Sequence, residues 1–262
     1  MRRKNHIEEL EARRLLSVSA SSLFVFTTGT KLTYQITSSG NTATSTTTVK
    51  GAATFNGHNA IEIDGTTSNV AGTSKSFVGL DGAGNAVSYG SSGTTAGGSF
   101  TDTNTPPAIN FPATMNAGTT YTENWGTHDV FAGGTSDSTT VHTVKLTSAS
   151  LVSVAVPAGT FNAYLFNETD TITAGGFTLP TSTIQQWIVP NKGLVKSVIT
   201  SSGNTTTEVL IPNNVVVGPA AKLLIAQQPT TGKPGVALTP AIKVNVTDAN
   251  GNIVTGNTST VA

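Results

Sequence analysis

The sequence predicts an all-β fold, either an antiparallel β-sandwich or an open half-barrel. From Phe24 onward apolar residues alternate with polar ones at a period of two, as in Leu32, Tyr34 and Ile36. Turn signals such as Asn56-Gly57 separate these segments at intervals of roughly ten residues. Threonine, which favours strands, accounts for 47 of the 262 residues. Together these features indicate many short antiparallel strands.

The first segment, residues 1–23, is predicted to be a targeting segment with a short helix, because Ile7, Leu10 and Arg14 share one face at helical spacing. Residues 7–17, IEELEARRLLS, resemble the amino-terminal LEPRxLLS tag of large exported, repeat-rich surface proteins of planctomycete bacteria. They depart from that tag at Ala12, where the family has proline. The resemblance implies an exported or cell-surface protein and says nothing about activity.

Residues 24–212 are predicted to form one β-rich domain of about a dozen strands. Within it, residues 90–112 are rich in glycine, serine and threonine and contain Pro106-Pro107, so we expect a long, mobile crossing loop there.

Residues 154–164, VAVPAGTFNAY, and 187–197, WIVPNKGLVKS, resemble the closing hairpins of an uncharacterised β-rich domain of exported bacterial proteins. They are also similar to hairpins of half-barrel lipoprotein carriers. The resemblance implies an open, curved sheet. It implies nothing about activity, because the family has no settled activity.

The carboxyl-terminal part is predicted to be a linker at 213–221 and a truncated immunoglobulin-like module at 222–262. Residues 222–229, KLLIAQQP, and 242–252, IKVNVTDANGN, resemble the first strands of the immunoglobulin-like repeats of bacterial adhesins and surface stalks. Such a module needs roughly 100 residues. Only 41 residues remain from Lys222, so we expect the chain to end inside a domain.

Composition excludes several classes of function. The 14 basic and 14 acidic residues balance, and no basic stripe could neutralise a series of phosphates, so nucleic acid is not expected as a partner. The absence of cysteine excludes disulfides, thiolate metal sites and cysteine nucleophiles. No apolar run approaches the roughly 18–20 residues of a membrane helix, so none is predicted.

No catalytic or metal-binding constellation is predicted. The histidines, which are scattered along the chain, are His6, His58, His128 and His142. Asp129 follows His128 directly, and on a strand the two would face opposite ways. A Gly-x-Ser-x-Gly elbow is missing, so no serine hydrolase is nominated. Glu168 and Asp170 share one face of a predicted strand, and we expect an exposed surface pair there rather than catalytic carboxylates.

Two short acidic segments, residues 81–85 and 248–252, superficially resemble calcium loops. Both lack the glycine at position 6 and the acidic residue at position 12 of that motif, so we interpret them as hairpin turns. No metal and no cofactor is predicted.

These observations favour an exported or cell-surface structural and interaction module without catalytic activity. Its partners would be other cell-surface proteins or downstream domains of the same parent chain. The alternative is a binder of an apolar ligand or lipid on the concave face of a half-barrel. The candidate lining of such a groove is aromatic: Trp125, Tyr121, Tyr164, Phe166 and Trp187. The alternative predicts an apolar cavity, and the structural module predicts a filled core.

Overall fold

The computed structural model describes residues 17–24, 26–68, 70–212, 222–227 and 243–247. The chain divides into two compact units, Met1–Asn213 and Asn214–Ala262. The strands of the first half of the first unit are β1 (Ser17–Ser19), β2 (Lys31–Ser38), β3 (Asn41–Phe55), β4 (His58–Thr67), β5 (Gly72–Leu80), β6 (Ala86–Thr95), β7 (Gly98–Phe111) and β8 (Thr114–Asn116). Those of its second half are β9 (Thr120–Phe131), β10 (Gly134–Leu146), β11 (Val152–Val156), β12 (Gly159–Ala174), β13 (Phe177–Thr178), β14 (Ser182–Val189), β15 (Gly193–Ser201) and β16 (Asn204–Leu210).

Twelve of these strands form a closed antiparallel barrel, which confirms the predicted all-β class. The neighbour order is β10-β9-β7-β6-β5-β4-β3-β2-β16-β15-β14-β12, and β12 pairs with β10 to complete the circle. The prediction was a sandwich or an open half-barrel, whereas this sheet is a closed barrel. Closure is made by β12, whose 16 residues pair with β14 along one edge and with β11 and β10 along the other.

Side chains alternate between the lumen and the outer surface, as period-two segments require. On β10, His142, Val144 and Leu146 are buried, whereas Val141 and Lys145 are exposed. The inward face of β10 therefore carries both an apolar end and a polar middle.

An apolar core fills one end of the lumen. The first described residues enter it, since β1 pairs with β8 and the amide of Ala20 donates to the carbonyl of Ala113. The buried members of this core are Val18, Ala20, Leu23, Ala86, Phe111, Met115, Val144, Leu146, Phe166 and Ile188. Burying each large apolar side chain contributes about 1.5–3 kcal/mol, so the core closes this end firmly. The structure thus begins the barrel core at Val18, earlier than the predicted boundary between residues 23 and 24.

The loop predicted at residues 90–112 is wrong, because the segment forms most of β6 and β7 in a tight hairpin. The glycines here allow close approach of backbones instead of marking a loop. A Cβ on Gly90 would lie 2.1 Å from the carbonyl oxygen of Asp102, and one on Gly93 would lie 2.1 Å from that of Thr73. The neighbouring threonines suit strands.

The remaining predictions fall mostly outside the described residues. The helix expected around residues 7–14, the linker at 213–221 and most of the immunoglobulin-like module lie there. Within the described part, Ala20–Ser22 form a 3-10 turn. In the second unit, β17 (Lys222–Gln227) pairs antiparallel with β18 (Lys243–Thr247). Among the described residues, no helix is long and apolar enough to cross a membrane.

Candidate functional site

A buried histidine cross-links three strands in the middle of the lumen. The side chain of His142, on β10, is only 5% exposed, and its Nδ1 lies 2.7 Å from Oδ1 of Asp170 on β12. Its Nε2 lies 3.2 Å from the main-chain carbonyl oxygen of Asn110 on β7. A carboxylate and a carbonyl can only accept hydrogen bonds, so both ring nitrogens must donate. The geometry therefore fits the imidazolium form, with both N–H groups donating.

The surroundings hold that proton on the ring. Burial alone would lower the pKa of His142, but the hydrogen bond and charge of Asp170 and the carbonyl of Asn110 raise it above the ordinary value of 6.5, and Glu168 adds to this rise when its carboxyl group is ionised. His142 is thus a buried cation paired with the carboxylate of Asp170.

Glu168 faces the same part of the lumen from β12. The residue is 6% exposed, and its Oε1 has no hydrogen-bond partner in the described structure. Burial raises the pKa of Glu168 to about 8, against the attraction of His142 and with a contribution from the charge of Asp170. At neutral pH this side chain is therefore mainly a neutral acid beside an ion pair.

Both nitrogens of His142 are engaged, so the ring has no free lone pair to accept a proton from a substrate. Within the described ranges, no group of three or more His, Asp or Glu side chains is placed to hold a metal ion. The arrangement instead ties β7, β10 and β12 together across the lumen.

The barrel wall has a lateral gap beside this cluster. β9 pairs with β7 from Phe100–Phe131 to Thr105–Gly126, and β7 then diverges from it. The resulting cavity, of about 210 Å³, is lined by Asp81, Val87, Pro106, Pro107, Ile109, Glu123 and Asn124. We call it the β7/β9 gap. Glu123 is the direct cross-strand partner of His142, but its charge is not among those that shift the pKa of the ring.

Further carboxylates line other parts of the lumen. Burial raises the pKa of Asp102, opposed by a 2.6 Å hydrogen bond from Ser91 Oγ and reinforced by the charge of Asp129. Burial also raises the pKa of Glu208. Burial and the charge of Glu208 raise the pKa of Tyr34, whose hydroxyl donates to the carbonyl of Leu194. The lumen is thus acidic away from its apolar end.

The five aromatic residues proposed as a ligand lining lie in different places. Phe166 is fully buried in the apolar core, and Tyr121 and Tyr164 pack against it. Trp125 lies beside His142, with ring centroids 5.8 Å apart. Trp187 belongs to a second cluster, around Val195 and Leu210, and stacks under the ammonium of Lys196 at 4.7 Å. None of the five lines the three cavities described for this chain.

The acidic pair Glu168 and Asp170 does share one face, as expected, but that face is the lumen and Glu168 is buried. The expectation of an exposed surface pair was therefore wrong. His128 and Asp129 do point apart: His128 pairs with Asp137 at 2.7 Å, and Asp129 accepts a hydrogen bond from Ser136.

Sequence reasoning missed the pairing of His142 with Asp170. The two residues are 28 positions apart and meet only because β10 and β12 close the barrel. One available signal was that each lies in phase with buried apolar neighbours, Val144 beside His142 and Phe166 beside Glu168 and Asp170.

The segment 81–85 is a hairpin turn, as predicted. Oδ1 of Asp81 accepts hydrogen bonds from the amides of Ala83 and Asn85, and Oδ2 accepts one from the Asn85 side chain. Slight burial acts in the opposite direction, yet these hydrogen bonds lower the pKa of Asp81. Its carboxylate is thus committed to the turn. The other segment, 248–252, lies outside the described residues.

No family model matches the chain, and no curated protein matches it. Two solved structures resemble it. One is a Bacteroides fragilis protein assigned to the exported class and to a YmcC-like fold, with 14% identity, a TM-score of 0.46, and coverage of 72% of this chain and 96% of that one. The other is a Parabacteroides distasonis protein assigned to the lipoproteins, with 15% identity, a TM-score of 0.42 and the same coverage. At these TM-scores neither likeness bears on the function of this chain.

Proposed function

We propose that the chain is an exported structural and interaction module of the cell surface without catalytic activity. The observation that carries the proposal is the use of the buried histidine. Both ring nitrogens of His142 are engaged by Asp170 and Asn110, so this buried polar group serves to hold strands together. A barrel that uses its interior for cohesion interacts through its wall and rims.

Export is supported by the resemblance of residues 7–17 to the tag of exported surface proteins. The Ser- and Thr-rich composition agrees with an extracellular β module, since such side chains are neutral and well solvated on a strand surface. The partners that fit this role are other surface proteins or further domains of the parent chain.

The apolar-ligand alternative has weaker support. A lipid site needs a cavity lined mainly by apolar and aromatic side chains. The strongest aromatic candidate, Phe166, is instead enclosed by Phe111 at a centroid distance of 5.1 Å and by the rest of the apolar core. A filled core favours the structural module.

The test is surface exposure in the bacterium that encodes the chain. Intact cells would be treated with a membrane-impermeant amine-reactive biotin, and the labelled fraction of this protein compared with that of a cytoplasmic protein. We expect labelling of the protein and none of the control. Equal protection of both would contradict export.

A pair of variants tests the role of the tag. Replacing Arg13 and Arg14 by glutamate alters the tag-like segment, whereas replacing Asn5 and His6 by alanine alters residues just before it. We expect the first change to reduce surface labelling and the second to leave it unchanged. Equal surface labelling for both variants would show that the tag-like segment does not direct export.

A further inference from the structure

We propose that the free edge of β9 in the β7/β9 gap binds an extended peptide segment that carries a basic side chain. This deepens the proposed interaction module, on which it rests, by naming the chemistry of its partner. The partner would add a strand to the barrel wall by main-chain hydrogen bonds, a recognised way for sheets to bind peptides.

The hairpin between β9 and β10 fixes which backbone groups face the gap. Phe131 and Gly134 are opposed across a two-residue turn, so they form a hydrogen-bonded pair. Counting back in steps of two, the odd residues of β9 direct their N–H and C=O groups to β10, and the even residues direct theirs to β7. Gly126 is even and is opposed by Thr105 of β7. The next even residues, Asn124 and Thr122, have no opposing strand in the described structure.

β7 does not occupy this edge because its sequence prevents it. Pro107, the next residue of β7 that would face β9 after Thr105, lacks the N–H group that the ladder requires, and Pro106 precedes it. Beyond them, β7 keeps its pairing with β6, as in Ile109 opposite Val87. The carbonyl of Asn110 is already used by His142. The gap is therefore a built feature, with an edge of about four residues on one side.

The lining of the gap indicates the chemistry of the incoming strand. Val87, Pro107 and Ile109 provide an apolar wall, and Glu123 and Asp81 provide carboxylates, while no lysine or arginine is among the described residues that line it. Asp81 is committed to its turn. The carboxylate of Glu123 makes no hydrogen bond or ion pair within the described part of the chain. A lysine or arginine on the peptide would supply its partner.

The test uses the full chain and a defined probe, the fluorescein-labelled peptide acetyl-Thr-Val-Thr-Lys-Thr-Val-Thr-amide. A second peptide has glutamate in place of lysine. Binding of each is measured by fluorescence anisotropy. We expect the lysine peptide to bind at least about tenfold more tightly than the glutamate peptide, since opposite charges attract and like charges repel in a partly desolvated cleft.

Two matched pairs of variants locate the binding. Thr122→Pro removes one of the two free N–H groups of the edge and prevents regular pairing there, whereas Thr122→Val keeps it, so we expect only the proline variant to lose binding. Glu123→Gln removes the negative charge of this side chain but keeps its size and shape. We expect it to bind both peptides with nearly equal affinity. Thermal unfolding and circular dichroism establish that each variant is folded before its binding is scored.

The opposite results are equally clear. Equal binding of both peptides by the wild-type chain, unchanged binding by folded Thr122→Pro, or no binding up to the solubility limit of the lysine peptide would overturn the proposal. A dimer in sedimentation experiments that Thr122→Pro dissociates would assign the edge to a second copy of the chain and also overturn it. None of these outcomes changes the surface-labelling result, so this inference can fail while the proposed function stands.

Discussion

Nδ1 of His142 lies 2.7 Å from Oδ1 of Asp170, and the two residues face each other directly across β10 and β12, the strand pair that closes the barrel. The same chemistry occurs a second time, at the same distance, between His128 and Asp137. That second pair has side chains 52% and 81% exposed, whereas the His142 side chain is 5% exposed. The molecule therefore contains its own control for the effect of burial.

The first prediction compares these two pairs. His142→Gln leaves the carboxylate of Asp170 and the carbonyl of Asn110 without their charged donor, and we expect a loss of about 2–3 kcal/mol in the free energy of unfolding. His128→Gln removes an exposed pair and should cost less than about 0.5 kcal/mol. Urea unfolding of both variants measures the difference. Equal losses would mean that the closing seam does not depend on the His142 cross-link.

The second prediction concerns pH. Glu168 has a folded-state pKa of about 8 against an ordinary value of 4.5, so the folded protein binds the extra proton, and stability falls as pH rises between these values. The raised pKa of His142 acts in the same direction: its contribution is full below 6.5 and is lost as pH rises through the folded-state value. The raised pKa of Glu208 adds a decline of the same sign.

The measurement is the Tm as a function of pH for the wild type and for the Glu168→Gln and Glu208→Gln variants. We expect the wild-type Tm to fall from mildly acidic to mildly alkaline pH, and Glu168→Gln to remove the largest part of that fall. A wild-type Tm that rises over this interval would contradict the assigned protonation states.

The third prediction concerns β6, part of which was predicted to be a loop because of its glycine-rich composition. A Cβ on Gly93 would meet the carbonyl oxygen of Thr73 at 2.1 Å and the ring of Phe100 at 2.9 Å, whereas Gly82 has nothing within 4 Å. We expect Gly93→Ala to destabilise the protein by about 1–3 kcal/mol and Gly82→Ala to be nearly neutral. Thermal unfolding provides the comparison. A neutral Gly93→Ala would argue against the close pairing of β5 with β6.

The fourth prediction compares two phenylalanines. Phe166 is 0% exposed inside the apolar core, and Phe177 is 78% exposed on β13. Phe166→Ala should cost about 3–5 kcal/mol, because it removes buried contacts and leaves a cavity, and Phe177→Ala should cost much less. Chemical unfolding measures both. A tolerated Phe166→Ala would reopen the possibility that this residue lines a ligand site.

The alternation of residues such as Leu32, Tyr34 and Ile36 was enough to predict the fold class, since period two is a local property. Closure of the barrel was not predictable in this way. It depends on the pairing of β12 with β10, a long-range contact that local alternation does not reveal. The prediction for residues 90–112 was wrong for a related reason. A glycine such as Gly90 or Gly93 is expected both in a loop and where two strands approach closely, and the sequence alone does not distinguish the two.

The site was hidden by the same long-range geometry. The period of a strand places Glu168 and Asp170 on one face but does not say whether that face is lumen or surface. The partners of His142 lie 28 and 32 positions away, at Asp170 and Asn110, and only the closed sheet brings them together. Pro106-Pro107 gave a sequence signal for the gap beside Glu123. The pairing of β7 with β9 ends just before these prolines, although β7 itself continues to Phe111.

We propose that this barrel holds a filled apolar core at one end and interacts through its surface instead of enclosing a lipid. Titration of the full chain with N-phenylnaphthylamine, an apolar probe that fluoresces when buried, tests this proposal. We expect no saturable binding by the native protein and strong fluorescence only after partial unfolding exposes the core. Saturable one-to-one binding by the native chain, with quenching of the tryptophan emission and loss of binding in Phe166→Ala but not in Phe177→Ala, would contradict it.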